Sequence, residues 1–185
     1  MMPAPYVEGF LLGGSLIIAI GAQNAYVLSL GISRNHHLAS ASLCAIIDIS
    51  LIALGVAGVG SWMQANPGLL KIALWGGAAF LFLYGLSTLR SAVRGEVTEV
   101  DASGGFVSAG RPSLRTVAFT TLAVSLFNPH VYLDTVVLMG SLSGKFAGSG
   151  RFLFALGAST ASVIWFYSLA FAGQILAPAL TRPAA

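Results

Sequence analysis

Hydrophobic positions cluster into five stretches of about twenty residues each, and polar positions collect between them. A helix needs roughly 20 mostly apolar residues to cross the hydrocarbon core of a bilayer. The pattern therefore predicts five membrane-spanning helices in an all-α, polytopic transmembrane bundle. The predicted spans are residues 9–30, 38–60, 72–89, 117–142 and 152–177.

One long hydrophilic stretch, residues 90–115, interrupts this pattern and contains the sequence RGEVTEVDASGGF. It is the natural boundary between two halves of a single integral membrane domain that covers residues 1–185. We expect a first three-helix half at residues 1–89. The second half, residues 116–185, holds only two apolar runs, so we expect it to lack a last span.

Basic residues divide unequally between the two sides of the predicted bundle. If every run crosses once, one side has Arg34, Arg90, Arg94, Arg111, Arg115 and Arg182, and the other has Lys71, Lys145 and Arg151. Cytoplasmic loops carry an excess of Lys and Arg. We therefore expect residues 90–115 in the cytoplasm and the N-terminus outside. A re-entrant fourth run would reverse this assignment locally.

The composition also indicates a membrane protein. Hydrophobic residues make up 56% of the 185 residues and charged residues only 8%, whereas a soluble domain carries about 25% charged residues. The net charge of +3 does not indicate nucleic-acid binding, because the basic residues are scattered and form no stripe. The single cysteine, Cys44, excludes an internal disulfide framework and a CxxC motif. We expect it to be a small side chain buried in the membrane.

Polar residues interrupt the first apolar run at GAQNAYVL, which begins at Gly21. Gly21 allows the backbone to leave the helix, or allows a second helix to approach closely. Gln23 and Asn24 offer donors and acceptors to freed backbone groups, or to the ammonium and carboxylate of an amino acid. An intact helix whose two amides hold a neighbouring helix is an equally good interpretation.

A second interruption, FNPHVYLD, begins at Phe127 in the fourth run. Pro129 lacks a backbone donor and disfavours the helical state at Asn128, which predicts a helix break. Such a break survives at membrane depth only where it faces protein or a cavity. Asp134 follows closely. His130 has a side chain that titrates near neutral pH, although a polar residue without a special role is the simpler interpretation.

Asp48 lies far from either end of the second run. A carboxylate near the bilayer centre costs about 2.5–3.5 kcal/mol on insertion scales. We therefore expect Asp48 to face the protein interior, a water-filled cavity or a basic partner. It is either a cation site or proton carrier, or a buried acid that is hydrogen-bonded to a neighbouring helix. For His36 and His37, in the short polar loop after the first span, we expect a surface role.

Breaks in both halves are typical of secondary transporters, in which paired discontinuous helices form a binding site near the bilayer midplane. The stretches GAQNAYVLSLGI, CAIIDISLIALGVAGVG and NPHVYLDTVVLMGSLS also resemble, in order and spacing, the lysine/arginine exporter (LysE) family of bacterial inner-membrane amino-acid exporters. The similarity covers nearly the whole chain and is closest to the arginine-exporting branch.

The resemblance implies about six spans in two inverted three-helix halves, and amino-acid export driven by the proton gradient. It places the family's signatures on Gly21, Gln23, Asn24, Asp48, Asn128, Pro129 and Asp134. The family often has Pro at the position of Ala22, so we expect a softer break there. It also usually has a sixth span, for which the apolar pattern here offers no segment.

The preferred hypothesis is a multi-pass exporter in the bacterial inner membrane that moves a small amino acid, arginine or lysine, together with protons. Asp48 and Asp134 would face a central cavity, where two acids favour a cation. The broken helices would bind the α-ammonium and the α-carboxylate. A homo-oligomer is compatible with the sequence.

Two other functions remain as alternatives. One is export of neutral amino acids, and the other is a non-transporting membrane subunit that packs with partner proteins through glycine-rich faces. An enzyme is not expected, because the sequence has no P-loop, dinucleotide-binding, HExxH or nucleophile-elbow motif. No cofactor, metal or nucleic acid is expected either.

Overall fold

The computed structural model of the chain describes residues 4–18, 21–59 and 112–180, and isolated positions between residues 66 and 86. Within the three continuous ranges, all regular secondary structure is helical. The expected all-α class is thereby confirmed. The third predicted span, residues 72–89, and most of the predicted cytoplasmic segment, residues 90–115, lie outside the described residues.

Six helices lie within the three continuous ranges. They are α1 (Ala4–Ile17), α2 (Ala22–Ser33), α3 (His37–Leu54), α4 (Leu114–Leu126), α5 (the consecutive segments Pro129–Val131, Tyr132–Leu138 and Met139–Ser143) and α6 (Ser149–Leu180). The middle segment of α5 is π-helical, and Gly55–Val59 continues α3 with a kink at Gly58, whose φ is 115°. Two stretches, His37–Gly58 and Ser149–Pro178, are long and apolar enough to cross a membrane, which confirms the second and fifth predicted spans as helices.

The first predicted span is a broken helix. Helices α1 and α2 meet at an angle of 80°, so of the two interpretations of GAQNAYVL, the intact helix is wrong. The pair still runs along most of α6: a Cβ atom on Gly9 would collide with the Phe154 carbonyl, and one on Gly31 would lie 3.0 Å from Gly173 Cα. Phe154 and Gly173 are separated by about 28 Å along α6 at 1.5 Å per residue. This distance is close to the hydrocarbon thickness of a bilayer, about 30 Å, so α1 and α2 together form one broken span.

Polar contacts identify the two ends of the bundle. At one end, which we call the Glu8 end, Glu8 on α1 forms an ion pair with Lys145, just after α5. At the other, the Asn35 end, Asn35 Nδ2 donates to the Pro112 carbonyl at 3.0 Å, just before α4. The broken span α1–α2 therefore runs from the Glu8 end to the Asn35 end, whereas α4–α5 runs the opposite way. The two broken spans are antiparallel.

Helix α6 contacts α1, α2 and α3, and α3 packs against α4 and α5. Close packing depends on glycine where backbones meet. At the contact of α3 with α5, for example, a Cβ atom on Gly55 would lie 2.6 Å from the Thr135 carbonyl oxygen, and one on Gly140 would lie 2.6 Å from the Gly55 carbonyl oxygen. The bundle thus holds the two antiparallel broken spans against a central pair, α3 and α6.

Candidate functional site

A cavity of about 240 Å³ lies where the two broken spans meet. Its lining residues are Leu16, Ile17, Gly21, Ala22, Gln23, Asn24, Asp48, Asn128, His130, Val131, Asp134, Thr135 and Phe166. Seven of the eight residues singled out from the sequence are among them. The eighth, Pro129, begins α5 between two lining residues. The structure therefore gathers residues from distant parts of the chain around a single space.

The first break is stabilised by Asn24. Its Nδ2 atom donates to the Ile17 carbonyl at 2.8 Å, so the side chain of α2 satisfies an acceptor at the end of α1. Gly21 precedes α2 with extended backbone and offers no side chain to cap the first amides of that helix. The first turn of α2 therefore presents backbone N–H groups at the cavity wall.

Gln23 differs from its neighbour Asn24. Only 6% of Gln23 is exposed, and its Nε2 atom has no hydrogen-bond partner among the described residues. Its side chain lies beside Asp48 and Cys44. The Nε2 donor can therefore turn towards Asp48 or towards an acceptor that enters the cavity.

The second break is capped by Asn128. Its Oδ1 atom accepts a hydrogen bond from the His130 backbone N–H at 3.1 Å, which fixes the start of α5. The two breaks are adjacent in space, because a Cβ atom added to Gly21 would lie 3.9 Å from Asn128 Nδ2. The sequence suggested this proximity, since freed backbone groups at membrane depth must share a protected interior.

The two acids of the cavity have different surroundings. Asp48 is 3% exposed, and the Ser162 hydroxyl on α6 donates to its Oδ2 atom at 2.9 Å. The Asp134 side chain is 26% exposed, and its Oδ2 atom lies 3.3 Å from Nδ1 of His130, which is 75% exposed. Asp48 thus occupies the floor of the cavity, and Asp134 lies towards its opening.

Charge and shape define what the cavity accepts. The lining includes two carboxylates but no Lys or Arg, so within the described residues the acids face no permanent positive charge. Amide groups and the uncapped start of α2 provide donors nearby. The volume is below the roughly 300–1,000 Å³ of pockets for drug-sized ligands, which suits a smaller molecule. The described residues contain no cluster of three or more side chains suited to hold a metal ion.

Other predicted residues lie away from the cavity. Cys44 is fully buried and free, which confirms the expectation of a small buried side chain. His36 is exposed before α3, as expected. His37 is half-buried, and its Nδ1 atom is shielded without a partner in the described part of the chain, so the surface role does not fit His37. Ser162 was missed, since a lone serine in an apolar run carries no signal.

Fold and site together define an integral membrane protein of helices, with a polar cavity between two antiparallel broken spans. The chain belongs to the LysE type translocator family, whose model matches residues 14–185. It is 46% identical over 182 residues to "Arginine exporter protein ArgO" of Yersinia enterocolitica, covering 98% of this chain and 86% of that protein.

Two further relatives agree with this family. "Putative amino-acid transporter YggA" of Aeromonas salmonicida is 47% identical over 98% of this chain and 85% of its own length. "Arginine exporter protein ArgO" of Salmonella enteritidis is 43% identical over 95% of this chain and 81% of its own length. These relatives are named as transporters and not as enzymes. No solved structure matches the chain.

Proposed function

We propose that the chain exports a basic amino acid, arginine or lysine, across the bacterial inner membrane, and that the proton gradient drives the export. The cavity carries this proposal: Asp48 and Asp134 contribute two carboxylates, and none of its lining residues is Lys or Arg. The names of the relatives, an arginine exporter and an amino-acid transporter, support the same class of substrate.

The α-carboxylate of the substrate binds at the first break. The start of α2 carries partial positive charge on its backbone N–H groups, and Gly21 has no side chain to cover them. The Nε2 atom of Gln23, which lies beside Asp48, adds a donor at the same wall. Asn128 faces this wall from the second break. These groups recognise what all amino acids share.

The cationic side chain binds near Asp134. This carboxylate is partly exposed and close to the cavity opening, and its neighbour is His130, which is charged only when protonated. An arginine guanidinium forms short, bidentate hydrogen bonds with a carboxylate. Asp134 therefore selects basic over neutral amino acids in this assignment.

Asp48 carries the proton. A buried carboxylate is stable only when it is paired or neutralised, and here Ser162 supplies one hydrogen bond and no cation lies among the lining residues. Either a proton or the substrate's positive charge can neutralise it. The two therefore compete, and this competition couples proton entry to amino-acid exit.

The alternative of a non-transporting scaffold needs glycine faces that are free to pack against partners. Glycines at helix contacts in the described residues are already used inside the bundle: Gly9, Gly31, Gly55, Gly140 and Gly173 all meet backbone atoms of a neighbouring helix. This use of glycine favours a self-contained domain. The alternative of a neutral substrate conflicts with two acids in one cavity.

Transport by the purified chain tests the proposal. Proteoliposomes loaded with labelled arginine, lysine or citrulline, an uncharged analogue of arginine, receive a pH gradient. We expect arginine or lysine to leave, citrulline to remain, and an ionophore that collapses the gradient to stop the flux. Preferred release of citrulline would favour a neutral-amino-acid exporter. If release is no faster than from protein-free liposomes, and another protein copurifies stably with the chain, the result would favour the scaffold.

A further inference from the structure

A ladder of small polar side chains connects α3 to α4 inside the bundle. Ser40 Oγ and Thr121 Oγ1 lie 2.8 Å apart, and Cys44 Sγ and Ser125 Oγ lie 4.0 Å apart. All four side chains are buried, with at most 1% exposure. We call these four residues the seam.

The seam leads to the cavity. The second pair, Cys44 and Ser125, lies four residues after the first pair on both helices. Four residues further along α3 is Asp48, a residue of the cavity lining. At the matching point on the other side, α4 has ended and α5 begins. From Ser40 to Asp48 the distance along α3 is about 12 Å at 1.5 Å per residue. The seam therefore fills the space between the cavity floor and the Asn35 end.

The cavity itself lies on the other side of the breaks. Leu16 and Ile17 end α1, and His130, Asp134 and Thr135 belong to the first turns of α5; both helices extend from the breaks to the Glu8 end. Towards the Asn35 end, by contrast, the space between the helices is filled by buried side chains. The described conformation is thus closed on the side of the seam.

Polar groups in this position need an explanation. A buried pair of hydroxyls gains little over two apolar side chains of the same shape, and α3 and α4 belong to opposite halves of the bundle. Furthermore, Gln23 is 6% exposed and lies beside Cys44 and Asp48, where the seam meets the cavity. Its Nε2 atom makes no close hydrogen bond within the described residues, so this donor is available to water or substrate that reaches the junction.

We propose that the seam is the closed entrance half of the substrate path. When α3 and α4 separate, Ser40, Cys44, Thr121 and Ser125 line a wet passage from the Asn35 end to the cavity, and a basic amino acid reaches Asp48 through it. The hydroxyls and the thiol replace water around the substrate without holding it by charge. This inference rests on the proposed export function and adds the route of entry.

The single native cysteine, Cys44, reports on the passage directly. Two proteoliposome preparations are compared, one with the Asn35 end facing outwards and one with the Glu8 end facing outwards. Each is treated with a cationic, membrane-impermeant methanethiosulfonate reagent. We expect Cys44 to react slowly, since the open state is a minor population. Because that state opens at the Asn35 end, the reaction should be about tenfold faster from the Asn35 end than from the Glu8 end. Saturating arginine should change the rate, and modified protein should no longer export.

A cysteine at Ala45, in a Cys44→Ser background, is the matched control. Ala45 is the next residue on α3 and is also buried, within an apolar cluster against α2 and α6. It should stay unmodified. Equal modification at both positions would mean general loosening of the bundle and would overturn the proposal. So would a Cys44 that never reacts, or reacts only from the Glu8 end, in vesicles that export arginine.

Paired threonine variants separate a passage from simple helix packing. Thr121→Val should lower both the maximal export rate and the Cys44 reaction rate about fivefold, as expected for loss of one buried hydrogen-bonding group, with substrate affinity unchanged. Thr120→Val, at a buried threonine outside the seam, should change neither rate. If Thr121→Val lowers only thermal stability, the seam is interhelical packing. If the wild type exports no amino acid at all, the proposed function fails first and the passage falls with it.

Discussion

The Ser162 hydroxyl on α6 donates a hydrogen bond of 2.9 Å to Asp48 Oδ2 on α3, inside the bundle and 114 residues away in sequence. Ser162 is fully buried and Asp48 is 3% exposed. A hydrogen bond to a charged group contributes about 1.5–3 kcal/mol. This contact therefore helps to determine whether the Asp48 carboxylate is charged.

Replacing Ser162 with alanine should lower the rate of export at low substrate concentration by about tenfold or more, because Asp48 loses one of its hydrogen-bond donors. Initial rates of arginine release across a range of pH values measure the effect. Ser168→Ala, on an exposed face of the same helix, should behave as wild type. Equal rates in the two variants would remove Ser162 from the site.

Asp48→Asn and Asp134→Asn should each abolish export while the protein remains in the membrane. The amide keeps the shape of the side chain but neither carries charge nor accepts a proton. Quantified membrane fractions and transport assays provide the readout. Glu8→Gln is the control: this acid only forms a partly exposed ion pair with Lys145, which is worth about 0–1 kcal/mol, so export should persist. Full transport by either Asn variant would show that its acid is dispensable.

Pro129→Ala should let α4 and α5 join and withdraw freed backbone groups from the cavity. Substrate affinity should fall, whereas expression should hold or rise, since a helix that continues through this position is favoured by about 3 kcal/mol with alanine rather than proline. Binding is followed by protection against thermal unfolding with added arginine. Pro178→Ala, which removes an exposed proline from α6 far from the cavity, should leave affinity unchanged; a loss of affinity there too would point to a general effect of helix straightening.

Two glycines on α1 should respond in opposite ways to alanine. A Cβ atom at Gly9 would strike the Phe154 carbonyl of α6, whereas one at Gly14 would meet nothing within 4 Å. Gly9→Ala should therefore destabilise the bundle by about 1–3 kcal/mol through overpacking. Gly14→Ala should stabilise it by about 0.5–1 kcal/mol, because the unfolded chain loses freedom. Thermal unfolding in detergent compares them; similar shifts would contradict the close contact of α1 with α6.

The orientation of the bundle is open to a direct test. Since the Lys and Arg residues favour one side, a cysteine at Ser103 in a Cys44→Ser background should resist impermeant thiol reagents in cells whose outer membrane is permeabilised. A cysteine at Ser149, which is exposed at the Glu8 end, should react readily. The reverse pattern would place residues 90–115 outside.

The second break was predictable because its signal is local, and the first was one of two equally good interpretations of a similar local signal. A proline with a preceding asparagine, or a glycine followed by two amides, stands out against apolar neighbours, and so does a carboxylate such as Asp48. The antiparallel course of the two broken spans was anticipated only through the resemblance to the LysE family, which implies two inverted halves. It depends on contacts such as Asn35 with Pro112 that join distant segments.

The contacts of Ser162 and the seam could not be predicted from the sequence. Serine, threonine and cysteine are ordinary residues of membrane helices, and hydrophobic periodicity is weak where lipid-facing and core-facing positions are both apolar. Which hydroxyl meets which partner depends on helix rotation and on the closeness that glycines such as Gly31 and Gly173 permit. The burial of His37 also depends on helix rotation, so the polar sequence of the preceding loop did not predict that this residue is half-buried.

The length of α6 has a consequence for the lipid around the protein. Its 32 residues extend about 48 Å at 1.5 Å per residue, well beyond a hydrocarbon core of about 30 Å. The helix must tilt or protrude, and its tilt is set by the bilayer in which it sits. Because α6 contacts α1, α2 and α3 and holds Ser162 against Asp48, a change in its tilt in a thicker or thinner membrane would move the residues that line the cavity. The thickness of the membrane would thereby influence the geometry of the cavity.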